Sequence, residues 1–358
     1  MPRLVIAIGG NSLIPDGDHE SVQDQYLAAA ETDDHIASLV EQGWDVAISH
    51  GNGPQVGFIL RRSEMASSEL HEVPLDFCGA DTQGAIGYML QQNLVNDFRQ
   101  RGITKSVATI VTQVEVDAND PAFANPSKPI GSFMEEADAK RRRDEEGWDI
   151  REDAGRGWRR VVASPQPMRI VELEVIKDLL DAGVVTIAVG GGGIPVVTNA
   201  DGDHESVQDQ YMAAAETDDH IASLVEQGWD VAISHGNGPQ VGFILRRSEM
   251  ASSELHEVPL DFCGADTQGA IGYMLQQNLV NDFRQRGISK GVATIVTQVE
   301  VDANDPAFAN ASKPIGSFME EADAKRRRDE EGWDIREDAG RGWRRVVASP
   351  QPMRIVEL

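Results

Sequence analysis

Residues 184–200 read VVTIAVGGGGIPVVTNA, and the use made of this stretch decides the fold. Val184–Val189 is a continuous apolar run ended by four glycines, the pattern of a buried parallel strand feeding a glycine-rich turn. Before it lies a unit that begins MPRLVIAIGGNSLIP. After it most of that unit returns: Asp16–Leu173 reappears as Asp201–Leu358, 185 residues later, with four differences, Leu27/Met212, Thr104/Ser289, Ser106/Gly291 and Pro126/Ala311. The strand can complete the first unit or begin the second. A short Asp181–Gly183 turn leads into it from the first unit, whereas a longer polar stretch, Thr198–His204, separates it from the second copy. Elements joined by short connections pack together. The strand is therefore expected in the first unit, leaving the second copy one strand short and easier to open.

Strand and helix patterns alternate outward from this joint. Leu4–Ile8, Trp44–Ser49, Val107–Val111 and Val184–Val189 are apolar runs that each lead into a loop or helix. Between them, Glu20–Gln42 carries Tyr26, Ala29, Ala30, Ile36, Leu39 and Val40 at helical spacing and is stopped by Gly43. A helix starts near Pro54 and runs to about Ser63, and Val171–Ala182 is a further short helix. Cys78–Gln100 is also helical, with Gly84 and Gly87 permitting close approach of a neighbour. Residues 113–157 are rich in Pro, Gly and charge, and predict a lobe protruding from the sheet, with Trp158–Ala163 returning to it. The fold class expected is a three-layer α/β/α sandwich around a mostly parallel sheet. Residues 1–197 would form one unit with its lobe at 113–157, and 198–358 an incomplete copy with its lobe at about 298–342.

Composition narrows the partners. With 32 Lys and Arg against 59 Asp and Glu, the 358-residue chain carries a net charge of −27. Such a surface repels nucleic acid and anionic membranes and suits strong salt, where self-repulsion is screened. One cysteine per copy, Cys78 and Cys263, argues against a disulfide framework. The opening MPRLVIAIGG has no signal-peptide pattern, and no apolar run is of membrane-spanning length, so a cytoplasmic setting is expected.

The stretches with chemical potential are short and rich in glycine. Gly9-Gly10-Asn11, at the carboxyl end of the first strand, offers backbone NH groups and an amide to an oxyanion or phosphoryl group, or else is a tight strand-to-helix turn. HGNGPQVG, His50–Gly57, places Gly51 and Asn52 before a helix whose positive end would face an anion; the alternative is a helix cap beside a hydrogen-bonded histidine. Lys128, held between Pro126 and Pro129 in a lysine-poor chain, can present an ammonium to a phosphoryl or carboxylate oxygen, or be an ordinary surface lysine. Gly190–Gly193 is another loop of phosphate size. The histidines have no spacing that builds a metal site, and there is no GxxxxGK[ST] loop. Gly236, Asn237 and Lys313 repeat part of the set as a possible duplicate site.

Taken together, IAIGGNSL at Ile6–Leu13, HGNGPQVG at His50–Gly57, CGADTQGAIGYML at Cys78–Leu90, VTQVEVD at Val111–Asp117, DPAFANPSKPIG at Asp120–Gly131, GWRRVVAS at Gly157–Ser164 and GGGGIPV at Gly190–Val196 resemble the carbamate kinases of the amino-acid kinase superfamily. The resemblance implies that Gly9, Gly10, Asn11, Gly51 and Asn52 hold the phosphoryl group and carbamate, with Lys128 reaching over from the lobe. It implies the reaction ATP + carbamate = ADP + carbamoyl phosphate, with Mg²⁺, commonly in arginine fermentation. It also implies a homodimer, for which the Cys78–Gln100 helix is the candidate face. After GGGGIPV the family continues into a nucleotide-binding half with an Asp-Lys-Asp-Leu motif. Here the first half begins again, and the nearest string, Ile176-Lys177-Asp178-Leu179, lies before the joint. Little turnover is therefore expected. The alternative function is a catalytically inactive module that binds a small anion or pairs with another subunit.

Overall fold

The computed structural model describes residues 2–14, 19–198, 204–205 and 212–357. The first unit runs β1 (Arg3–Ile8), α1 (Val22–Glu41), β2 (Asp45–His50), α2 (Gly53–Met65), α3 (Leu75–Arg101), β3 (Val107–Ile110), β4 (Gln113–Val116), α4 (Pro121–Ala124), β5 (Lys128–Met134), α5 (Glu136–Glu146), β6 (Ile150–Glu152), β7 (Trp158–Val162), β8 (Pro167–Ile170), α6 (Leu173–Asp181), β9 (Val185–Ile187) and β10 (Ile194–Thr198). Then follow β11 (His204–Glu205), α7 (Met212–Glu226), α8 (Gly238–Met250), α9 (Leu260–Gln285), β12 (Ile295–Val296), β13 (Val299–Val301), α10 (Pro306–Ala309), β14 (Lys313–Met319), α11 (Glu321–Glu331), β15 (Ile335–Glu337), β16 (Trp343–Val347) and β17 (Pro352–Ile355).

Local chemistry sets the helix ends. The Ser21 hydroxyl accepts from the Asp24 backbone and the Asp24 carboxylate accepts from the Ser21 backbone, a reciprocal cap that starts α1. Pro74 precedes α3, and Gly102, at φ 71°, ends it in the left-handed conformation that glycine adopts without strain.

The main sheet has the order β1-β2-β9-β3-β12. Its first four strands are parallel, and β9 lies between β2 and β3, in register Ile48↔Ile187 and Thr109↔Ile187. The joint strand thus completes the first unit, as its short lead-in turn predicted. Val185 and Ile187 face α1 and α3 in one core, with Ile36, Val46, Ile48, Ile86, Leu90 and Phe98. On the opposite face Ile110 and Ala188 meet Ile176 of α6. Helix, sheet and helix make three layers.

Two expectations are corrected. Residues 158–163 do not return to the main sheet: β7 pairs antiparallel with β5 and β6 in the lobe's own sheet, Lys128 opposite Val162. Residues 229–234 repeat the sequence of the expected strand Trp44–Ser49 yet form no strand, and residues 229–237 carry no regular element. The identical sequence in the first unit is held between β1 and β9, and no such pair flanks the second copy among the described residues. Instead β12 crosses to pair antiparallel with β3, Ile295 opposite Ile110.

That pair of equivalent residues marks a pseudo-two-fold axis between the copies. α3 packs against α9, where a Cβ on Gly84 would collide with the Ala265 carbonyl and one on Gly269 with the Ala80 carbonyl. Polar contacts across the seam recur as mirror pairs. Arg61 makes a two-pronged bond to Glu254 at 2.9 and 2.8 Å, and Arg246 the same to Glu69. Gln91 reaches the Val296 carbonyl and Glu357, while Gln276 reaches the Val111 carbonyl and Glu172. The face at residues 78–100 that the sequence offered to a second subunit is covered by this chain's own repeat.

Candidate functional site

β1, β2 and β9 are parallel neighbours, so the loops leaving their carboxyl ends lie side by side, where open α/β sheets take ligands. Gly10–Ser12 forms one turn of 3-10 helix after β1, closed by the Ser12 NH on the Gly9 carbonyl at 2.9 Å. The Gly51 NH donates to the Ile8 carbonyl at 2.7 Å, tying the second loop to the first. A Cβ on Gly51 would stand 3.1 Å from the Gly10 Cα, and one on Gly190 2.5 Å from His50 Nε2. One on Gly191 would strike the Asn52 amide. The glycines at these positions are what allow three loops to converge.

The side chains around them form a buried polar frame. His50 is 3% exposed, and burial lowers its pKa to about 4, so the ring is neutral near pH 7. Its Nδ1 lies 3.1 Å from the Gly51 carbonyl. Asn52 precedes α2 without capping it: its Nδ2 donates to Thr82 Oγ1 at 2.8 Å. The first turn of α2 therefore keeps its positive end uncapped by a side chain. Gln83, 2% exposed, donates to the carbonyls of Thr112 at 3.1 Å and Gly190 at 3.0 Å and accepts from the Thr112 NH at 2.7 Å. The Thr112 hydroxyl in turn accepts from the Val189 NH at 3.0 Å. Thr82, Gln83 and Thr112 escaped the sequence reading. The one signal, for Thr82 and Gln83, was a polar pair set among the small and apolar residues 84–87 and 89–90 of α3.

The structure brings together Gly9, Gly10, Gly51, Asn52 and the 190–193 loop, with Asn11 in the Gly10–Ser12 turn. Lys128 stands apart. It is exposed at the start of β5, and its lobe meets the site's helix at Gly131, whose Cα lies 3.7 Å from a Cβ placed on Gly57. In the second copy Asn237 still donates to Thr267 at 2.8 Å. Gly236, however, has nothing within 4 Å of an added Cβ, and His235 is exposed. Lys313 is exposed at the start of β14. The duplicate set keeps its asparagine and loses its neighbouring loops.

The donors named here, backbone NH groups and amides, suit an anion rather than a hard cation. Among the described residues no group of three or more His, Cys, Asp or Glu is placed to hold a metal ion, and no helix is long and apolar enough to cross a membrane.

Comparison with known proteins bears on the family. The family model described as "Amino acid kinase family" matches residues 2–215. A carbamate kinase of Pyrococcus furiosus is 49% identical over 208 residues, 58% of this chain and 66% of that protein. The chain spans less than two thirds of the length of this and two other archaeal carbamate kinases that it matches. A carbamate kinase of Lentilactobacillus hilgardii is 39% identical over 322 residues, covering 87% of this chain and 98% of the relative. Among solved structures, the carbamate kinase from Giardia lamblia bound to AMP-PNP superposes with a TM-score of 0.53 at 29% identity, over 82% of this chain and 98% of that one.

Proposed function

The chain belongs to the amino acid kinase family, among the carbamate kinases, and from that premise we propose that its first unit is the acceptor side of a carbamate kinase site. Its ligand class is the small phosphorylated or carboxylate-like anion, carbamoyl phosphate or carbamate. The reaction is reversible phosphoryl transfer with ATP or ADP, as in arginine fermentation. The observation that carries this reading is the convergence of Gly10, Gly51 and Gly190–Gly191 at the ends of three adjacent parallel strands.

Phosphoryl transfer needs its reacting groups aligned and the charge on the transferred oxygens neutralised. In this reading backbone NH groups of the glycine loops and the uncapped end of α2 receive those oxygens. Asn52 is held in place by Thr82, and Lys128 closes over the anion when the lobe moves toward it. Mg²⁺ would be carried in on the nucleotide phosphates, since none of the side chains framing the loops is a carboxylate. That the Giardia structure holds AMP-PNP supports nucleotide as the second substrate.

Turnover by this chain stays near background in our proposal. The Asp-Lys-Asp-Leu string is absent from the sequence, and Lys177 of the nearest match pairs with Glu174 at 2.7 Å on the surface of α6. The second reading, an inactive anion-binding or pairing module, draws on the open surroundings of Gly236.

The test pairs a binding and a rate measurement. Titration calorimetry with carbamoyl phosphate is expected to give binding of about millimolar strength, lost in Asn52→Ala and kept in Asn237→Ala. ATP formation from ADP and carbamoyl phosphate with Mg²⁺ is expected at background, unchanged by Lys128→Ala. Robust ATP formation abolished by Lys128→Ala would overturn the half-site reading. Binding unaffected by Asn52→Ala would overturn the site.

A further inference from the structure

Residues 229–235 have the same sequence as residues 44–50, WDVAISH, yet leave their apolar side chains in water. Val46 and Ile48 are 0% and 1% exposed, whereas Val231 and Ile233 are 39% and 43% exposed and Trp229 is 62% exposed. A run of alternating apolar residues that, beyond Trp229, has no backbone partner among the described residues is a template for another strand. The first unit shows what the same sequence accepts: β1 on one side and β9 on the other, both parallel.

Of those two strands, β9 is enclosed between β2 and β3 and has no edge to offer. Among the described residues β1 ends the sheet, paired with β2 alone, and its Val5 is 74% exposed. We propose that two copies of this chain join head to tail, the free edge of β1 in one pairing with residues 229–235 of the other. We take the β1–β2 register and carry it over to the other edge of β1. Arg3 lies opposite Asp45 in the β1–β2 pair, so in that register Arg3, which pairs with Asp181 of its own chain, meets Asp230 of the next copy, whose side chain is exposed and pairs with Lys290. Leu4 and Ile6 then fall opposite Val231 and Ile233, as they fall opposite Val46 and Ile48 within the chain. The contact joins different surfaces of the two copies. It therefore need not close on itself and leads to oligomers that grow with concentration. The net charge of −27 opposes that growth at low salt and is screened at high salt.

Sedimentation of the full chain across a concentration series, at low and at molar salt, tests the proposal. Mass is expected to rise with concentration in molar salt. Ala232→Pro changes an exposed residue outside any regular element and removes one ladder NH; it is expected to return the chain to single-copy mass. Met353→Lys, which removes an apolar side chain 63% exposed elsewhere, is expected to leave association unchanged. A peptide of residues 2–9 is expected to lower the mass of the wild type. Single-copy mass for the wild type at every concentration and salt would overturn the proposal. So would undiminished association of Ala232→Pro, loss of association in Met353→Lys, or a peptide without effect.

Discussion

The heptapeptide WDVAISH occurs twice in this molecule and has two fates. At residues 44–50 it supplies the second strand of a parallel sheet, its valine and isoleucine sealed under α1 and α3. At residues 229–235 the same side chains are exposed and no strand forms. Propensity, alternation and local sequence are identical, so none of them accounts for the difference. What differs is the supply of partners. β1 and β9 come from residues outside the repeated segment, and both are used by the first copy. A strand is stable through its neighbours' hydrogen bonds and the core behind them, which is why strand propensity depends so strongly on context.

The largest effect that separates the two copies should come from truncating the core isoleucine in each. Ile48→Ala removes a side chain 1% exposed and is expected to cost about 2–5 kcal/mol in denaturant unfolding. Ile233→Ala, 43% exposed, is expected to change stability by less than about 0.5 kcal/mol. Hydrogen exchange should show the same contrast, with residues 45–50 protected and 230–235 open. Equal costs or equal protection would break the comparison.

A second, smaller contrast lies in the pH dependence. Burial raises the pKa of Asp33 to about 8, with Asp97 adding repulsion and Asn93 working against it; burial raises its counterpart Asp218 only to about 6. In the unfolded chain both carboxyls titrate near 4 (about 3.9). Above that pH the folded state holds a proton that the unfolded state has released, so stability falls as pH rises. For Asp33 the fall continues to about pH 8, and for Asp218 it stops at about pH 6. Asp33→Asn should flatten the stability profile across that whole window and stabilise by about 1–3 kcal/mol at its upper end. Asp218→Asn should flatten only the lower part. Unfolding melts from pH 4 to 9 for both variants decide it, and indistinguishable profiles would show that the second copy is as well packed as the first.

The smallest effect is expected at the mirrored ion pairs of the seam. Arg61 and Arg246 retain 26% and 27% side-chain exposure, so Arg61→Ala and Arg246→Ala should each cost less than about 1 kcal/mol, by equal amounts. Unequal losses in thermal melts would show that the pseudo-two-fold axis is only geometric.

The layers were legible because each parallel strand is an apolar run, three of the four followed by a glycine loop, and because the end of α1 announces itself through Gly43, at φ 92°. The candidate site was legible at Gly9, Gly10, Gly51 and Asn52, where residue type alone limits what the backbone can do. Thr82, Gln83 and Thr112 were not, since a buried glutamine reads in sequence like an exposed one. Its role appears only when Thr112 and the 190 loop arrive beside it. The return of residues 158–163 to the main sheet was misjudged because pattern shows that a strand is present without showing which strand it joins.

By itself, then, the sequence determined the acidic surface, the repeat, the parallel-sheet layers and the glycine loops, all of which follow from residue type and short-range order. Tertiary structure decided which copy keeps the joint strand, where β12 pairs, and that the long helix meets its own duplicate rather than another chain. Those outcomes rest on competition for a limited set of strand edges and apolar faces, and two identical sequences cannot both win the same partner.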